Sequence, residues 1–243
     1  MKITYWSDFA CPWCWIGEEN LRTAIRRIGR PAEFEMKAYQ LHPEDPKEGG
    51  MTVEDSFIAR GYSEDEAIAR ASSVDYAAKA AGLPFDYAKA IRSNTFDAHR
   101  LRKFALDKFG VETAEKLDTV LFTAYFSKHL VLGDTAVLAH LAEEAGIPEA
   151  EAEKVLSSND YASEVEADEE EAAMHRVSSV PYFVVNGKYA VPGAVGADDW
   201  EKGLRSVYKE EDEEKAGPFG AADASACGPD GCDLEAHRKG ASK

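Results

Sequence analysis

The tetrapeptide Cys11-Pro12-Trp13-Cys14 constrains the fold of this chain more than any other feature of its sequence. An apolar run at residues 3–6 precedes it and predicts a strand, whereas helical periodicity begins within the motif and continues to about residue 28. This order places Cys11 at a helix N-terminus, where unpaired backbone N–H groups and the helix dipole favour a thiolate. Cys14 lies one helical turn further on and can resolve a mixed disulfide. The spacing therefore predicts a pair that cycles between dithiol and disulfide.

Two other interpretations of this cysteine pair stay open. The thiols could be an inert buried pair, or they could form half of a zinc site. The transition from strand to helix at the motif favours the redox interpretation, because it gives one sulfur the environment that lowers a thiol pKa.

Composition excludes several classes of function. The 243 residues carry a formal net charge of −17, which argues against nucleic acid or an anionic membrane as a partner. No apolar stretch approaches the roughly 18 residues of a membrane span. The N-terminus shows no cleavable apolar region, so we expect a cytoplasmic protein. Thiols are kept reduced there, and the four cysteines then indicate catalysis or metal binding rather than structural disulfides.

The periodicity of the chain changes twice, which predicts an α/β fold with an inserted helical segment. Strands are expected at residues 3–7 and 33–39, with a helix between them. Residues 52–176 are helical in character, with a capping box at Ser63-Glu64-Asp65-Glu66 and a helix cap at Asp134. Strand character returns at residues 182–185, and the hairpin signal Asn186-Gly187 predicts a return strand at residues 188–191. A short helix is expected at residues 197–208. The predicted organisation is one α/β domain from residues 1–43 and 177–208, an all-helical insertion at 44–176, and a flexible acidic tail at 209–243.

A second cysteine pair, Cys227 and Cys232, lies in the predicted tail. The intervening Pro229-Asp230-Gly231 predicts a turn, which would bring the two sulfurs close enough for a labile local disulfide. We expect this pair to exchange disulfides with Cys11 and Cys14 as a redox shuttle. An incidental pair without function and a zinc site that uses all four thiolates are the alternatives.

The order of motifs resembles the DsbA family of thiol–disulfide oxidoreductases, and most closely its cytoplasmic FrnE-like branch. The resemblance covers roughly residues 2–208. It is carried by the stretches Tyr5-Trp6-Ser7-Asp8-Phe9 before the tetrapeptide, Gln40-Leu41-His42-Pro43, Asn94-Thr95 with Ala98-His99-Arg100-Leu101, Leu121-Phe122-Thr123-Ala124-Tyr125-Phe126, and Ser179-Val180-Pro181-Tyr182-Phe183. It implies a thioredoxin-like fold with a large helical insertion.

The resemblance also implies roles for individual residues. Cys11 would be the nucleophile and Cys14 the resolving thiol. Pro181 would follow a cis bond and lie against the cysteines, which would expose the backbone of Val180 for strand-like pairing with a substrate. An ordinary trans proline at the start of a strand is the alternative.

Three further residues are candidates for substrate binding. Phe9 and Trp13 flank the cysteines and could form an apolar docking surface, or they could only shield the disulfide. His99 lies on an insertion helix that the family pattern orients towards the active site; a core or surface histidine is the alternative. No metal ligands are assigned, and no cofactor is expected.

The predicted function is a protein disulfide reductase or isomerase that acts on protein or small thiol and disulfide substrates with an unidentified thiol reductant. Trp13 stands where the periplasmic relative has a histidine, and Glu18 and Glu19 oppose a thiolate, so we expect a less oxidising couple. A glutathione-dependent isomerase or transferase of the same fold is one alternative, although such relatives typically have a serine where Cys11 stands. A holdase-type chaperone is the other.

Overall fold

The fold is taken from a computed structural model that describes residues 1–216 and two short strands, Cys227–Gly228 and Gly231–Cys232. Contacts group the chain into two compact units, Met1–Glu201 and Lys202–Lys243. The helical insertion predicted at residues 44–176 falls within the first unit, whereas the predicted α/β domain, which ends at residue 208, extends seven residues beyond it. No helix in the described part of the chain combines the length and apolar character that a membrane span needs.

A mixed sheet of four strands forms the centre of the first unit. β1 (Lys2–Ser7) is paired in parallel with β2 (Glu33–Ala38) and antiparallel with β3 (Tyr182–Val185), and β4 (Tyr189–Pro192) completes the order β2-β1-β3-β4. Because β1 is internal, both of its neighbours fix the point at which it ends. The loop that carries the cysteines begins at that point, so the cysteines follow an internal strand of the sheet.

Helix α1 (Pro12–Ile28) starts at the motif and connects β1 to β2. Pro12 occupies its first turn, where a missing N–H costs nothing, and Gly29 ends it in the left-handed conformation with φ 71°. The predicted β-α-β unit is confirmed.

The insertion consists of α-helices and one 3₁₀ turn at Tyr87–Lys89 within the described residues. Local signals explain several helix starts: Thr52 caps α2, Ser63 and Glu66 form the predicted capping box of α3, and Asp134 caps α6. The helices are α2 (Val53–Ala59), α3 (Glu64–Ala80), α4 (Phe96–Phe109), α5 (Val111–Phe126), α6 (Thr135–Ala145), α7 (Glu149–Leu156) and α8 (Ala162–Met174).

Stacked aromatic rings join the insertion to α1. The indole of Trp15 lies 5.4 Å from the ring of Phe122 and 5.2 Å from that of Phe85, and Phe85 stacks on Phe126 at 4.6 Å. Offset stacking of this kind adds about 1 kcal/mol per pair to the burial of the rings. The helix that begins at the cysteines is thus packed directly on the inserted helices, and the two share one core.

The structure corrects two expectations about element ends. The return strand of the hairpin occupies residues 189–192 rather than 188–191. Helix α9 (Ala197–Ala216) continues eight residues past the expected end at residue 208, so the flexible tail does not begin at residue 209. The acidic run 210–214 was expected to prevent order, yet glutamate and lysine are good helix formers and extend a helix that already exists. Residues 217–226 lie outside the described residues.

The tail cysteines are described only through their backbone. The strands β5 (Cys227–Gly228) and β6 (Gly231–Cys232) pair antiparallel, with Cys227 directly opposite Cys232. The predicted turn between the two cysteines is consistent with this register.

Candidate active site

Cys11 and Cys14 occupy unequal positions at the start of α1. Cys11 is the N-cap residue, with φ −94° and ψ 111°, and its backbone N–H donates to the Asp8 carbonyl oxygen at 3.0 Å. Both thiols are free and buried, Cys11 with 3% of its surface exposed and Cys14 with none. Cys11 therefore sits at the positive end of the helix, one turn before a sulfur that solvent does not reach.

Burial raises the pKa of the Cys14 thiol well above its usual value, and its hydrogen bond with Cys11 adds to the effect. The backbone N–H of Asp8, 3.5 Å from Cys14 Sγ, acts in the opposite direction. In this environment Cys14 stays protonated at neutral pH. It can then act only after another group has removed its proton.

The loop before β3 lies against the nucleophile candidate. The Val180–Pro181 bond is cis, as the resemblance implied. Cys11 Sγ lies 3.5 Å from the Val180 carbonyl oxygen, within hydrogen-bonding range for sulfur. Gly17 on α1 makes this approach possible, because a Cβ there would lie 3.1 Å from Pro181 Cγ and 3.3 Å from the Ala194 backbone. No sequence pattern indicated this role for Gly17.

Asp8 connects the cysteine loop to the rest of the site, and sequence reasoning missed this role. Its side chain is fully buried and accepts hydrogen bonds from the Leu41 N–H at 2.7 Å and the Thr95 hydroxyl at 2.8 Å. It also accepts from the Ala10 N–H at 3.2 Å. A carboxylate between a strand end and the motif was the only available signal, and it does not reveal partners 33 and 87 residues away.

Phe9 and His99 are not available to a docking substrate, which corrects the expectation for both. Phe9 is fully buried and His99 is 1% exposed, and their rings contact each other at 4.8 Å. Neither ring nitrogen of His99 has a hydrogen-bond partner, although Nε2 lies 3.5 Å from Asp8 Oδ1. The ring of Phe9 also contacts that of Phe122 on α5 at 5.1 Å, so helices of the insertion cover it. Trp13, in contrast, is 42% exposed beside the cysteines; its contact with substrate stays a prediction.

Glu18 and Glu19 differ from the two opposing charges that we expected. Glu18 is buried, its Oε1 accepts from the Ser7 hydroxyl at 2.6 Å, and burial raises its pKa to about 7. The carboxylate of Glu19 is paired with Arg26 at 2.6 Å. The two residues therefore present less negative charge to the cysteines than the sequence suggests.

No group of three or more histidine, cysteine, aspartate or glutamate side chains within the described residues could hold a metal ion. The four-thiolate zinc site of the sequence analysis needs the side chains of Cys227 and Cys232, which lie outside that description. The described part of the site thus offers two thiols, a cis-proline loop and a buried carboxylate network.

Comparisons with known proteins agree with this arrangement. The family model described as "DSBA-like thioredoxin domain" matches residues 2–205. The crystal structure of a probable DsbA oxidoreductase from Streptomyces coelicolor is 32% identical, with a TM-score of 0.80 over 96% of this chain and 99% of that chain.

Two other relatives are more distant. An uncharacterized protein of Bacillus subtilis (strain 168), YwbO, is 25% identical over 215 residues, which cover 86% of this chain and 98% of the relative. The structure of a 2-hydroxychromene-2-carboxylate isomerase has a TM-score of 0.61 at 18% identity, over 89% of this chain and 98% of that chain, and shows a shared fold alone. Since the family model covers nearly all of the chain outside its C-terminal segment, the chain belongs to the DSBA-like thioredoxin domain family.

Proposed function

We propose that this protein is a cytoplasmic thiol–disulfide oxidoreductase of the FrnE-like branch that reduces or isomerises protein disulfides. Membership of a DsbA-like oxidoreductase family supports the general reaction. The observation that carries the proposal is the asymmetry of the two thiols: Cys11 caps α1 beside the Val180 carbonyl, and Cys14 is fully buried one turn later.

The reaction follows from these positions. The Cys11 thiolate attacks one sulfur of a substrate disulfide; the substrate S–S bond breaks, and the leaving sulfur takes a proton from solvent. Cys14 then loses its proton and attacks Cys11 Sγ, which releases the second substrate thiol and leaves a Cys11–Cys14 disulfide. Two electrons have passed to the substrate. An external thiol reductant then supplies two electrons to the Cys11–Cys14 disulfide and restores the two thiols. Isomerisation results instead when a substrate thiol, and not Cys14, resolves the mixed disulfide.

The cis Val180–Pro181 segment is proposed to align the substrate. An extended peptide that pairs with the Val180 backbone would bring its disulfide towards the sulfur that lies 3.5 Å from the same carbonyl. Trp13 supplies exposed apolar surface on the other side of the motif.

Reduction is proposed as the favoured direction. Trp13 offers only an indole N–H to a Cys11 thiolate, whereas a histidine could offer a positive charge. Weaker stabilisation of the reduced form makes the couple less oxidising. A reduction potential close to that of a strongly oxidising periplasmic enzyme would contradict this direction.

The tail cysteines are proposed to exchange disulfides with the Cys11–Cys14 pair. Their directly opposed register in β5 and β6 supports a local disulfide. The ten residues 217–226 that precede Cys227 can span at most about 35 Å when extended. Unchanged redox cycling in a Cys227→Ser/Cys232→Ser variant would rule out the exchange.

The decisive experiment is reduction of insulin disulfides with dithiothreitol as donor. We expect Cys11→Ser to abolish activity, and Cys14→Ser to accumulate a mixed disulfide that non-reducing gels reveal. Cys227→Ser/Cys232→Ser, which replaces only the tail thiols, tests the proposed exchange in the same assay. Full activity of Cys11→Ser would overturn the proposal.

Two alternatives have their own tests. A glutathione-dependent isomerase needs no second thiol, so it would retain activity in Cys14→Ser. A holdase would suppress aggregation of an unfolded client even when all four cysteines are replaced by serine.

A further inference from the structure

A small cavity opens next to Cys11 and is not used by the reaction described above. Its volume is about 60 Å³, room for a group larger than one water molecule. Ala10, the residue before the nucleophile, forms part of its wall, and three residues of α2 form another part. The polar side chains on its lining are those of His42, Ser56, Arg60, Tyr87, Arg92 and Tyr125.

The basic side chains around this cavity are not equally engaged. Arg92 makes a bidentate pair with Asp45, at 2.7 and 3.0 Å, and His42 Nδ1 lies 3.4 Å from the Glu44 carboxylate. Arg60 is exposed, and within the described residues no carboxylate approaches its guanidinium to 4 Å. Arg60 is therefore the cation at this cavity whose charge is not already balanced by a pair.

Tyr87 places the cavity within electrostatic reach of the nucleophile. Burial raises the pKa of the Tyr87 hydroxyl to about 12, the negative charge of an ionised Cys11 contributes, and Arg60 and Arg92 act in the opposite direction. The charges of the Cys11 sulfur and of the Arg60 guanidinium therefore both act on this hydroxyl. At neutral pH it is protonated and can donate a hydrogen bond to an anion.

The backbone of α2 fixes where Arg60 stands. Arg60 is the C-cap of this helix, and its N–H donates to the carbonyls of Ser56 and Phe57 at 3.3 and 3.1 Å. The Val53 N–H donates to the Ala90 carbonyl at 2.9 Å, which ties the start of the helix to the segment that carries Tyr87. The backbone that carries Arg60 is therefore fixed beside the cavity by the fold.

We propose that Arg60 and Tyr87 form a carboxylate-binding subsite beside Cys11, so that the protein prefers disulfides that carry an acidic group near the attacked sulfur. The inference rests on the proposed disulfide chemistry and specifies its substrate class. A net charge of −17 repels anions from the protein as a whole, so a local cation is needed if such substrates are to approach. The subsite binds only the neighbouring carboxylate, and the exchange of sulfur bonds and electrons is unchanged.

The test compares small disulfides that differ in charge. The full chain, reduced, is mixed in single turnover with 3,3′-dithiodipropionate, with neutral bis(2-hydroxyethyl) disulfide, and with cationic cystamine. The quantity measured in each variant is the ratio of the anionic to the neutral rate. An exposed ion pair is worth up to about 1 kcal/mol, so we expect Arg60→Gln to lower this ratio about fivefold.

Two further variants make the result specific. Arg60→Lys keeps the charge and should retain most of the preference. Arg70→Gln removes the same charge from α3, where Arg70 lies over the ring of Tyr62, and should leave both rates unchanged. The preference should also decline as salt is added, because the subsite is open to solvent.

The outcomes separate this inference from the proposed function. If no disulfide reacts with Cys11, the proposed function fails. If the disulfides react but Arg60→Gln leaves the ratio of the acidic to the neutral rate unchanged both for the small disulfides and for the peptide disulfides described next, the subsite is refuted and the oxidoreductase stands. A second comparison uses peptide disulfides in which the bonded cysteine follows either glutamate or glutamine, and it identifies the source of the carboxylate. A preference for the acidic substrate among both small disulfides and peptides indicates that any carboxylate binds. A preference found only among peptides indicates acidic protein segments. Either pattern supports the subsite.

Discussion

Replacement of Glu18 by glutamine should change how the stability of the protein depends on pH. Glu18 is buried on α1, four residues after Cys14, and burial raises its pKa from 4.5 to about 7. The native state therefore holds this proton more tightly than the unfolded state does. The stability that protonated Glu18 contributes is fully present below pH 4.5 and is lost as the pH rises through about 7.

The magnitude follows from the two pKa values. Raising a pKa from 4.5 to about 7 corresponds to about 3 kcal/mol, at about 1.36 kcal/mol per pKa unit. About 2 kcal/mol of this is lost between pH 5 and pH 8. Glutamine cannot ionise, and its amide oxygen can still accept the hydrogen bond that the Ser7 hydroxyl donates at 2.6 Å. Glu18→Gln should therefore be more stable, relative to the wild-type protein, at pH 8 than at pH 5 by about 2 kcal/mol.

Urea unfolding of the reduced protein at pH 5 and pH 8 measures this difference directly. Glu19→Gln is the matched control. Glu19 is next to Glu18 in the chain, but its carboxylate is paired with Arg26 at the surface and is not buried. If the free energies of unfolding of the wild type and of Glu18→Gln differ by the same amount at both pH values, the reasoning is refuted.

Three other changes test the architecture of the site. Asp8→Ala leaves a buried backbone N–H and a buried hydroxyl without their acceptor, and should lower the free energy of unfolding by about 2–4 kcal/mol; a loss below 1 kcal/mol in chemical denaturation would contradict this. Gly17→Ala adds a Cβ 3.1 Å from Pro181, so insulin reduction should slow although alanine favours the helix; an unchanged rate would show that the loop moves aside freely. Trp13→His should make the couple more oxidising in equilibrium with glutathione, and an unchanged potential would remove the role assigned to the residue between the cysteines.

Patterns that are local in the chain predicted a large part of this fold. The β-α-β unit, the capping box at Ser63, the cap at Asp134 and the Asn186-Gly187 hairpin depend on neighbouring residues, and all are present. The cis bond before Pro181 came from the family resemblance and not from local physics. Helix α9 was the largest error in element length, because the acidic run at 210–214 was interpreted by its charge and not by its helix propensity.

Residue roles that depend on burial were predicted less well. Phe9 and His99 were candidates for substrate contact because they are near the cysteines in the chain or in the family pattern, yet both are buried and pack against each other. Asp8 had no assigned role, although its carboxylate accepts hydrogen bonds from partners in three separate segments. Sequence proximity does not reveal which side of a loop a later helix will cover.

The sequence by itself determined the chemistry-bearing motif, the strand that precedes it and the helix that begins within it, because each depends on residues close together in the chain. Only the tertiary structure decided that Cys14 and Glu18 are buried, that Asp8 joins distant segments, and that Arg60 lines the same cavity as Ala10. These properties arise when helices from the insertion pack against the cysteine loop and exclude water. Burial sets pKa values and accessibility, and it depends on contacts between residues that are remote in sequence.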